Sequence, residues 1–368
     1  MVVIHSGDLH LGTAFAACSS YMAAERRKKQ AVITENLIKL IAETKAGLVL
    51  LSGDVFDTDQ VSADTVDRFF AALGELGDVR FVIAPGNHDF YEEGGIYDLP
   101  SIPGNVFVFK SGEMSFFDFP DLNTRVYGYA FTSASMKYFP SCPSLDSSKI
   151  NILCCHGSLD DPLSAYCPIS SSELGGIGFD YAALGHIHQM SVKRAGKTVI
   201  AYSGCLMGRD FGECGEKGVL QVAFSGKSEP KTVFRTLCHE RYMTVDVDIS
   251  GADGMSAVAD RVRSAVSEIE DHGSILLRVG LTGLVSFDLI IDTSAIEKII
   301  SPDFMYVEVK NGTSVTLPAD YLENDKTLKG FFYRELKDGL NSPDPAVRKK
   351  YAEAFALGIR AMNGEELV

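Results

Sequence analysis

Apolar positions fall in short unbroken runs closed by polar, glycine-marked turns, and that spacing predicts the elements. Residues 2–5 form a first strand and enter a polar loop, Ser6-Gly7-Asp8-Leu9-His10-Leu11-Gly12. Residues 22–44 place Val32, Leu37, Leu40 and Ile41 at helical spacing behind a charged stretch at 25–30. Runs at 48–51 and 80–84 lack alternation, as strands buried on both faces do, and 64–76 between them reads as a second helix. This βαβαβ opening predicts a mostly parallel sheet covered by helices. After residue 98 the runs at 106–109, 115–119 and 125–129 are separated by Gly, Pro and Asp and predict an antiparallel series. Residues 150–154 and 181–184 are two more buried strands, and 192–194, 198–201, 218–224 and 232–235 continue in strands. The pattern predicts two sheets face to face with helices outside. A second unit begins near His239, with strands at 243–249, 275–281 and 305–310 and helices at 255–269 and 294–300. From about residue 325 the chain reads helical, broken at Ser342-Pro343-Asp344-Pro345. The expected class is α/β (α+β), divided into 1–238, a small α+β domain at 239–312, and a helical region at 313–368.

Composition narrows the class. At 368 residues the chain is too long for one ordinary core, and 46% hydrophobic with 23% charged residues describes a soluble globular protein. No apolar run approaches the ~18 residues of a membrane helix. The first residues enter a strand at once, without the charged segment and apolar block of a signal peptide. The eight cysteines are scattered, with no C-x-x-C pair to suggest structural zinc. Adjacent Cys154 and Cys155 point to opposite faces of a strand. These features predict a reducing, cytoplasmic compartment. The formal net charge of −15 argues against tight non-specific nucleic-acid binding by the chain alone. Bound cations or a basic partner would alter that locally.

The chemistry sits where the strands end. Five strand-like runs close on polar clusters: Asp8-x-His10, Gly53-Asp54-x-x-Asp57, Gly86-Asn87-His88-Asp89, His156-Gly157 and Gly185-His186-x-His188. Five of the eight histidines lie in them, which scattered surface histidines would not do. Open α/β sheets build their sites at strand carboxyl ends. Asp8, His10, Asp54, Asn87, His156, His186 and His188 make a mixed imidazole, carboxylate and amide set suited to borderline divalent metals. Seven such groups suit a binuclear centre. Two ions about 3.5–4 Å apart clamp the attacking and leaving oxygens of an in-line displacement. His88 is left over, placed to protonate a leaving oxygen, with Asp89 or a backbone carbonyl fixing its tautomer.

Other residues carry plainer readings. Asp57 is expected to support a ligand or to cap the next helix rather than to bind metal. His5, inside the first strand, is expected in the core or behind a ligand. The basic run at 25–29, with Arg26 and Arg27, reads equally as a solvated helix face and as a phosphate contact. Arg209 and Lys217, in a glycine-rich loop, are candidates to meet substrate phosphates.

Taken in order, the five clusters resemble the calcineurin-like metallophosphoesterase family over roughly residues 1–238. Ser6 to Gly12, Gly53-Asp54-Val55-Phe56-Asp57 and Gly86-Asn87-His88-Asp89, with Tyr202-Ser203-Gly204 and Glu216-Lys217-Gly218, are similar to its DNA repair exonucleases. These include the nuclease subunit of the SbcCD complex, its eukaryotic meiotic-recombination counterpart and the YhaO-type proteins. The resemblance implies a two-sheet metallophosphoesterase sandwich, a capping domain after 239 and a helical tail. It implies that Asp8, His10 and His188 hold one metal and Asn87, His156 and His186 the other, with Asp54 bridging. His88 is then the catalytic histidine and manganese the usual ion. DNA degraded from the 3′ side is the implied substrate, and an SMC-like ATPase bound through the C-terminal region the implied partner. A homodimer is compatible with this, and no membrane is involved. Two alternatives stand beside it: a small-nucleotide phosphodiesterase or phosphatase of the same fold, and a non-catalytic scaffold for the ATPase. Protein phosphatases carry Arg after Gly-Asp-x-x-Asp and Glu at the position of Asp89, whereas Thr58 and Asp59 follow here.

Overall fold

A computed structural model describes residues 1–15, 20–226, 229–316, 319–362 and 364. The end of the expected C-terminal helical region, 365–368, lies outside the described residues. The chain forms two compact units, Met1–Arg241 and Tyr242–Val368.

The first unit stacks two six-stranded sheets. One has the order Lys231–Cys238, Lys217–Ala223, Val2–Ser6, Leu48–Leu51, Arg80–Ile83, Val106–Val108. Its last four strands are mutually parallel, as the βαβαβ pattern predicts. The other runs Ser191–Ala195, Thr198–Tyr202, Tyr181–Gly185, Ile150–His156, Thr124–Gly128, Ser115–Phe119, with its four inner strands parallel. The expected antiparallel series at 106–129 is divided. Val106–Val108 extends the first sheet in parallel, whereas Ser115–Phe119 and Thr124–Gly128 form a hairpin at the edge of the second. Short alternating runs fix strand character, but partner choice rests on long-range packing.

Period-two alternation assigns each buried strand's residues to two cores. Val3, Leu48, Leu50 and Val82 meet Val126, Ile152, Cys154 and Ala183 between the sheets. Ile4, Val49, Leu51 and Phe81 face outward under helices Ser20–Thr44 and Ala63–Glu75, against Ile33, Leu37, Phe69 and Phe70. Leu153, Cys155, Ala182 and Ile200 do the same on the far side of the second sheet, against Leu174 and Phe179. Cys154 and Cys155 therefore lie in different cores, and the described cysteines are free thiols. Ser62, not Asp57, caps helix Ala63–Glu75, its side chain accepting from the Thr65 amide.

The second unit carries a three-stranded sheet, Arg241–Asp248, Ile275–Thr282 and Tyr306–Asn311, with the last two parallel. Val258, Val262, Ile296 and Ile300 from helices Met255–Val266 and Thr293–Ile300 belong to one core with Leu277, Val279 and Val309. Helices Leu328–Leu340 and Pro345–Met362 pack through Tyr333, Leu340, Phe355 and Ile359. Pro345 opens its helix, where its missing N–H costs nothing. No described helix is long and apolar enough to cross a membrane.

His5 is buried between the sheets. Its Nε2 lies 3.2 Å from the Leu184 carbonyl, which can only accept, so Nε2 carries the proton. Nδ1 then accepts from the Tyr181 hydroxyl at 2.9 Å. Burial, only partly opposed by the Leu184 hydrogen bond, pushes its pKa down to about 3. The unfolded chain binds a proton near pH 6.5 and the folded chain does not, so stability falls as pH drops below 6.5 towards 3. The slope is about 1.4 kcal/mol per pH unit, or roughly 2 kcal/mol between pH 6.5 and 5. Urea unfolding of His5→Gln across that range is expected to show a shallower pH dependence than the wild type by about that amount. Equal slopes would contradict a neutral buried His5.

Candidate metal centre

Five of the parallel strands carry their carboxyl ends to one locus. Asp8 and His10 follow Val2–Ser6, Asp54 follows Leu48–Leu51, and Asn87 and His88 follow Arg80–Ile83. His156 closes Ile150–His156, while His186 and His188 follow Tyr181–Gly185. The two sheets are tied there directly: the His186 amide donates to both Asp8 oxygens, at 2.9 and 3.1 Å. Backbone strain concentrates at the same place. Of ten described non-glycine residues with positive φ, four are Asp8, His10, Asp54 and His186. Residues held in this region mark positions over-determined by their surroundings. Two glycines admit the close approach. A Cβ on Gly86 would stand 2.3 Å from Asp54 Oδ1, and one on Gly53, at φ +92°, 2.4 Å from His156 Nδ1.

The hydrogen bonds fix three imidazole tautomers. His10 Nδ1 is 2.7 Å from Asp57 Oδ1, His188 Nδ1 is 2.6 Å from Glu213 Oε1, and His156 Nδ1 is 3.0 Å from the Ser52 carbonyl. These three partners are acceptors, so each Nδ1 holds the proton and each Nε2 presents a lone pair; at His188 the donor Arg209 Nη2 also stands 3.0 Å from Nδ1, and the closer Glu213 carboxylate, at 2.6 Å, decides the tautomer. These lone pairs converge. His10 Nε2 and His188 Nε2 are 3.2 Å apart, and His156 Nε2 is 3.0 Å from Asn87 Oδ1. Asp54 Oδ2 stands between the two sets, 3.7 Å from His10 Nε2 and 3.4 Å from His156 Nε2. Donor atoms of Asp8, His10 and His188 lie within 4.8 Å of one another, as do those of Asp8, Asp54 and His156. His186 stands at the margin, its ring centroid 5.2 Å from that of His156 and 4.8 Å from that of Tyr166.

Acceptor atoms so close in a buried setting repel unless a cation lies among them. The donor set therefore fits divalent metal. Titration reflects the same crowding. Burial opposes charge on His188, yet the Glu213 hydrogen bond and the Asp8 and Glu213 charges raise its pKa. Burial, then the nearby His156, lowers His186 to about 4, keeping it neutral. Against burial, the His156 and His10 fields lower the Asp54 pKa and keep its carboxylate ionised.

His88 is half-exposed, with Nδ1 3.3 Å from Asp57 Oδ1. The Asp57 hydrogen bond, against partial burial and with help from the Asp54 charge, raises its pKa. Asp57 thus serves His10 and His88 together, and the Thr13 hydroxyl also donates to it. The expectation that Asp89 orients His88 needs correction. Asp89 is fully buried, and its oxygens accept from the amides of Asp54, Val55, Phe56 and Gly86 and from the Tyr97 hydroxyl. It binds the Asp54 loop to the Gly86 turn, while Asp57 meets the His88 ring.

Two of the four cations expected to meet substrate point inward instead. Arg26 is buried and donates to the Gly208 carbonyl and to Glu240. Lys217 is buried and donates to the His188 carbonyl at 3.0 Å. Arg27 is exposed and Arg209 lies beside His188, with Nη2 3.0 Å from its Nδ1. Glu213 is the residue that sequence reasoning missed. Its only signal is an acidic side chain between the Arg209 and Lys217 already singled out, which does not distinguish it from a surface glutamate.

Residues 1–190 match the model of the family described as calcineurin-like phosphoesterase. The chain is similar to the uncharacterized metallophosphoesterase YhaO of Bacillus subtilis, 28% identical over 300 residues, covering 77% of this chain and 72% of that one. Among solved structures it is similar to a dimetal phosphatase from Danio rerio, at 11% identity and a TM-score of 0.39, covering 64% of this chain and 98% of that one. With a family model matched over more than half its length and a convergent donor set built for divalent ions, the chain belongs to the calcineurin-like phosphoesterases, metal-dependent hydrolases of phosphoester bonds.

Proposed function

We propose that the chain cleaves phosphodiester bonds of DNA, as an exonuclease or endonuclease in repair, with manganese as the ion. The observation that carries this reading is the half-exposed His88, oriented by Asp57 beside the convergent donor set. In the assignment we favour, Asp8, His10 and His188 hold one ion, Asn87, His156 and His186 the other, and Asp54 both. A bound pair of divalent ions polarises a phosphoryl oxygen and lowers the pKa of water. The protein's part is positional and protonic. Asp57, Ser52 and Glu213 keep three imidazoles in the tautomer that offers Nε2. Asp57 also accepts from His88 Nδ1 and favours the imidazolium, whose Nε2–H is then available to the leaving oxygen. Arg209 and Arg27 are the cations we assign to substrate phosphates.

Thr58 and Asp59 stand where protein phosphatases carry arginine, which supports a diester substrate over a phosphoprotein. The net charge of −15 favours a second reading, hydrolysis of a small nucleotide. A non-catalytic scaffold is disfavoured because all seven candidate ligands are retained. For the partner we propose an SMC-like ATPase in the cytoplasm, an assignment supported by the exposed Leu328 and Phe331 on helix Leu328–Leu340.

Purified protein with Mn²⁺ is expected to cleave labelled duplex or single-stranded DNA, and EDTA to abolish cleavage. Rapid hydrolysis of a cyclic nucleotide with every DNA form left intact would overturn the nuclease reading in favour of the second. His88→Ala is expected to lower kcat by roughly 10²–10⁴-fold while metal analysis still finds two bound ions. Loss of an ion in that variant would make His88 a ligand instead.

A further inference from the structure

The loop between strands Thr198–Tyr202 and Lys217–Ala223 converges on a single residue. His188 is gripped at its backbone and at its side chain. Its carbonyl accepts from Lys217 Nζ at 3.0 Å and from the Cys205 amide at 3.4 Å. The same carbonyl leaves no space for a side chain on Gly204, where a Cβ would stand 2.9 Å away. At the other end Glu213 Oε1 receives the Nδ1 proton at 2.6 Å. Glu213 is itself fixed. Arg209 donates to Oε1 through Nε at 2.9 Å and Nη2 at 2.8 Å, and its backbone amide donates to Oε2 at 2.7 Å.

We propose that the 203–216 loop, together with Lys217, is a clamp for His188 and that Glu213 is the positioning residue by which the clamp sets that imidazole's tautomer and direction towards one ion of the metal pair. The inference rests on the reading of His188 as a metal ligand and goes beyond it. A carboxylate on the distal nitrogen fixes a ligating histidine and raises its basicity. Neutral imidazole offers one lone pair, and only a proton held at Nδ1 leaves that pair on Nε2, facing His10 Nε2 at 3.2 Å.

The clamp also accounts for a buried lysine. Lys217 lies within the fold with its ammonium on the carbonyl of His188 rather than towards substrate phosphates, as its loop position suggests. Another reading of the same atoms is a third cation site, because His188, Cys205 and Glu213 offer ligand atoms within 4.8 Å of one another. The hydrogen bonds count against it. Glu213 Oε1 already receives protons from His188 and Arg209, and Oε2 from the Arg209 amide and the Cys205 thiol. A cation there would have to displace donors that hold the loop together. The rest of the centre is supported from other elements: His10 by Asp57 and His156 by the Ser52 carbonyl. Loss of the Glu213 carboxylate should therefore be felt by one ion and not by both.

The test uses full-length, chelator-stripped protein titrated with Mn²⁺ by calorimetry. Glu213→Gln is expected to weaken one of two binding steps by about 10–100-fold and leave the other unchanged. In metal-free protein carrying ¹⁵N-labelled histidine, His188 should show the Nδ1–H tautomer, and Glu213→Gln should shift it towards Nε2–H. His188→Ala is the control for the reading beneath the proposal. If His188→Ala weakens one step and Glu213→Gln weakens neither, Glu213 does not position the ligand and the proposal fails alone. If His188→Ala leaves both steps intact, the ligand reading fails and takes the proposal with it. Equal weakening of both steps in Glu213→Gln, with an unchanged His188 tautomer, would make Glu213 merely structural and also overturns the proposal.

Discussion

A concentration of lone pairs facing one another at close range governs this structure. Three imidazole Nε2 atoms, an amide oxygen and two carboxylates face one another across 3 to 4 Å. The protons that would relieve them sit on the far side of each ring, held by Asp57, Ser52 and Glu213. Burial strengthens the repulsion, because water is not there to screen it. Such an arrangement is stable as part of a metal centre and costly otherwise. It turns the family's metal dependence into a property of particular hydrogen bonds.

The fold supplies what this arrangement needs. Parallel strands in both sheets bring their carboxyl ends to one edge, so five separate loops meet without long connections. Cores on both faces of each sheet leave the strand ends little freedom to drift. Left-handed backbone at Asp8, His10, Asp54 and His186 turns donors inward at a conformational cost that the surrounding packing offsets. Asp89 shows the same logic one layer out: a buried carboxylate that contacts backbone amides is what holds the Asp54 loop in place.

Much of this was legible in the sequence, and the limits have physical causes. Unbroken apolar runs marked the doubly buried strands because both faces need hydrophobic residues. Polar clusters marked the site because aspartate and histidine at strand ends are costly unless they are used. Direction was not legible. Arg26 and Lys217 read as cations open to substrate phosphates, yet each turns inward to a carbonyl, since charge alone does not say which way a long side chain folds. Adjacency in sequence offers Asp89, or a backbone carbonyl, as the partner of His88, whereas its carboxylate faces the backbone amides of Asp54, Val55, Phe56 and Gly86. Glu213 is 25 residues from the histidine it holds, a contact made where the loops that follow two neighbouring strands of the second sheet, Tyr181–Gly185 and Thr198–Tyr202, come together. The split of 106–129 between sheets has the same origin, because strand pairing is decided by tertiary contacts rather than by local pattern.

In the proposed metal centre Asp54 lies between two ion positions. Anomalous diffraction from crystals soaked in Mn²⁺ tests that most directly. Two peaks that share Asp54 Oδ2, one against His10 and His188 and the other against Asn87 and His156, are the predicted result. A single peak, or peaks that leave the three Nε2 atoms facing each other with no ion among them, would contradict it.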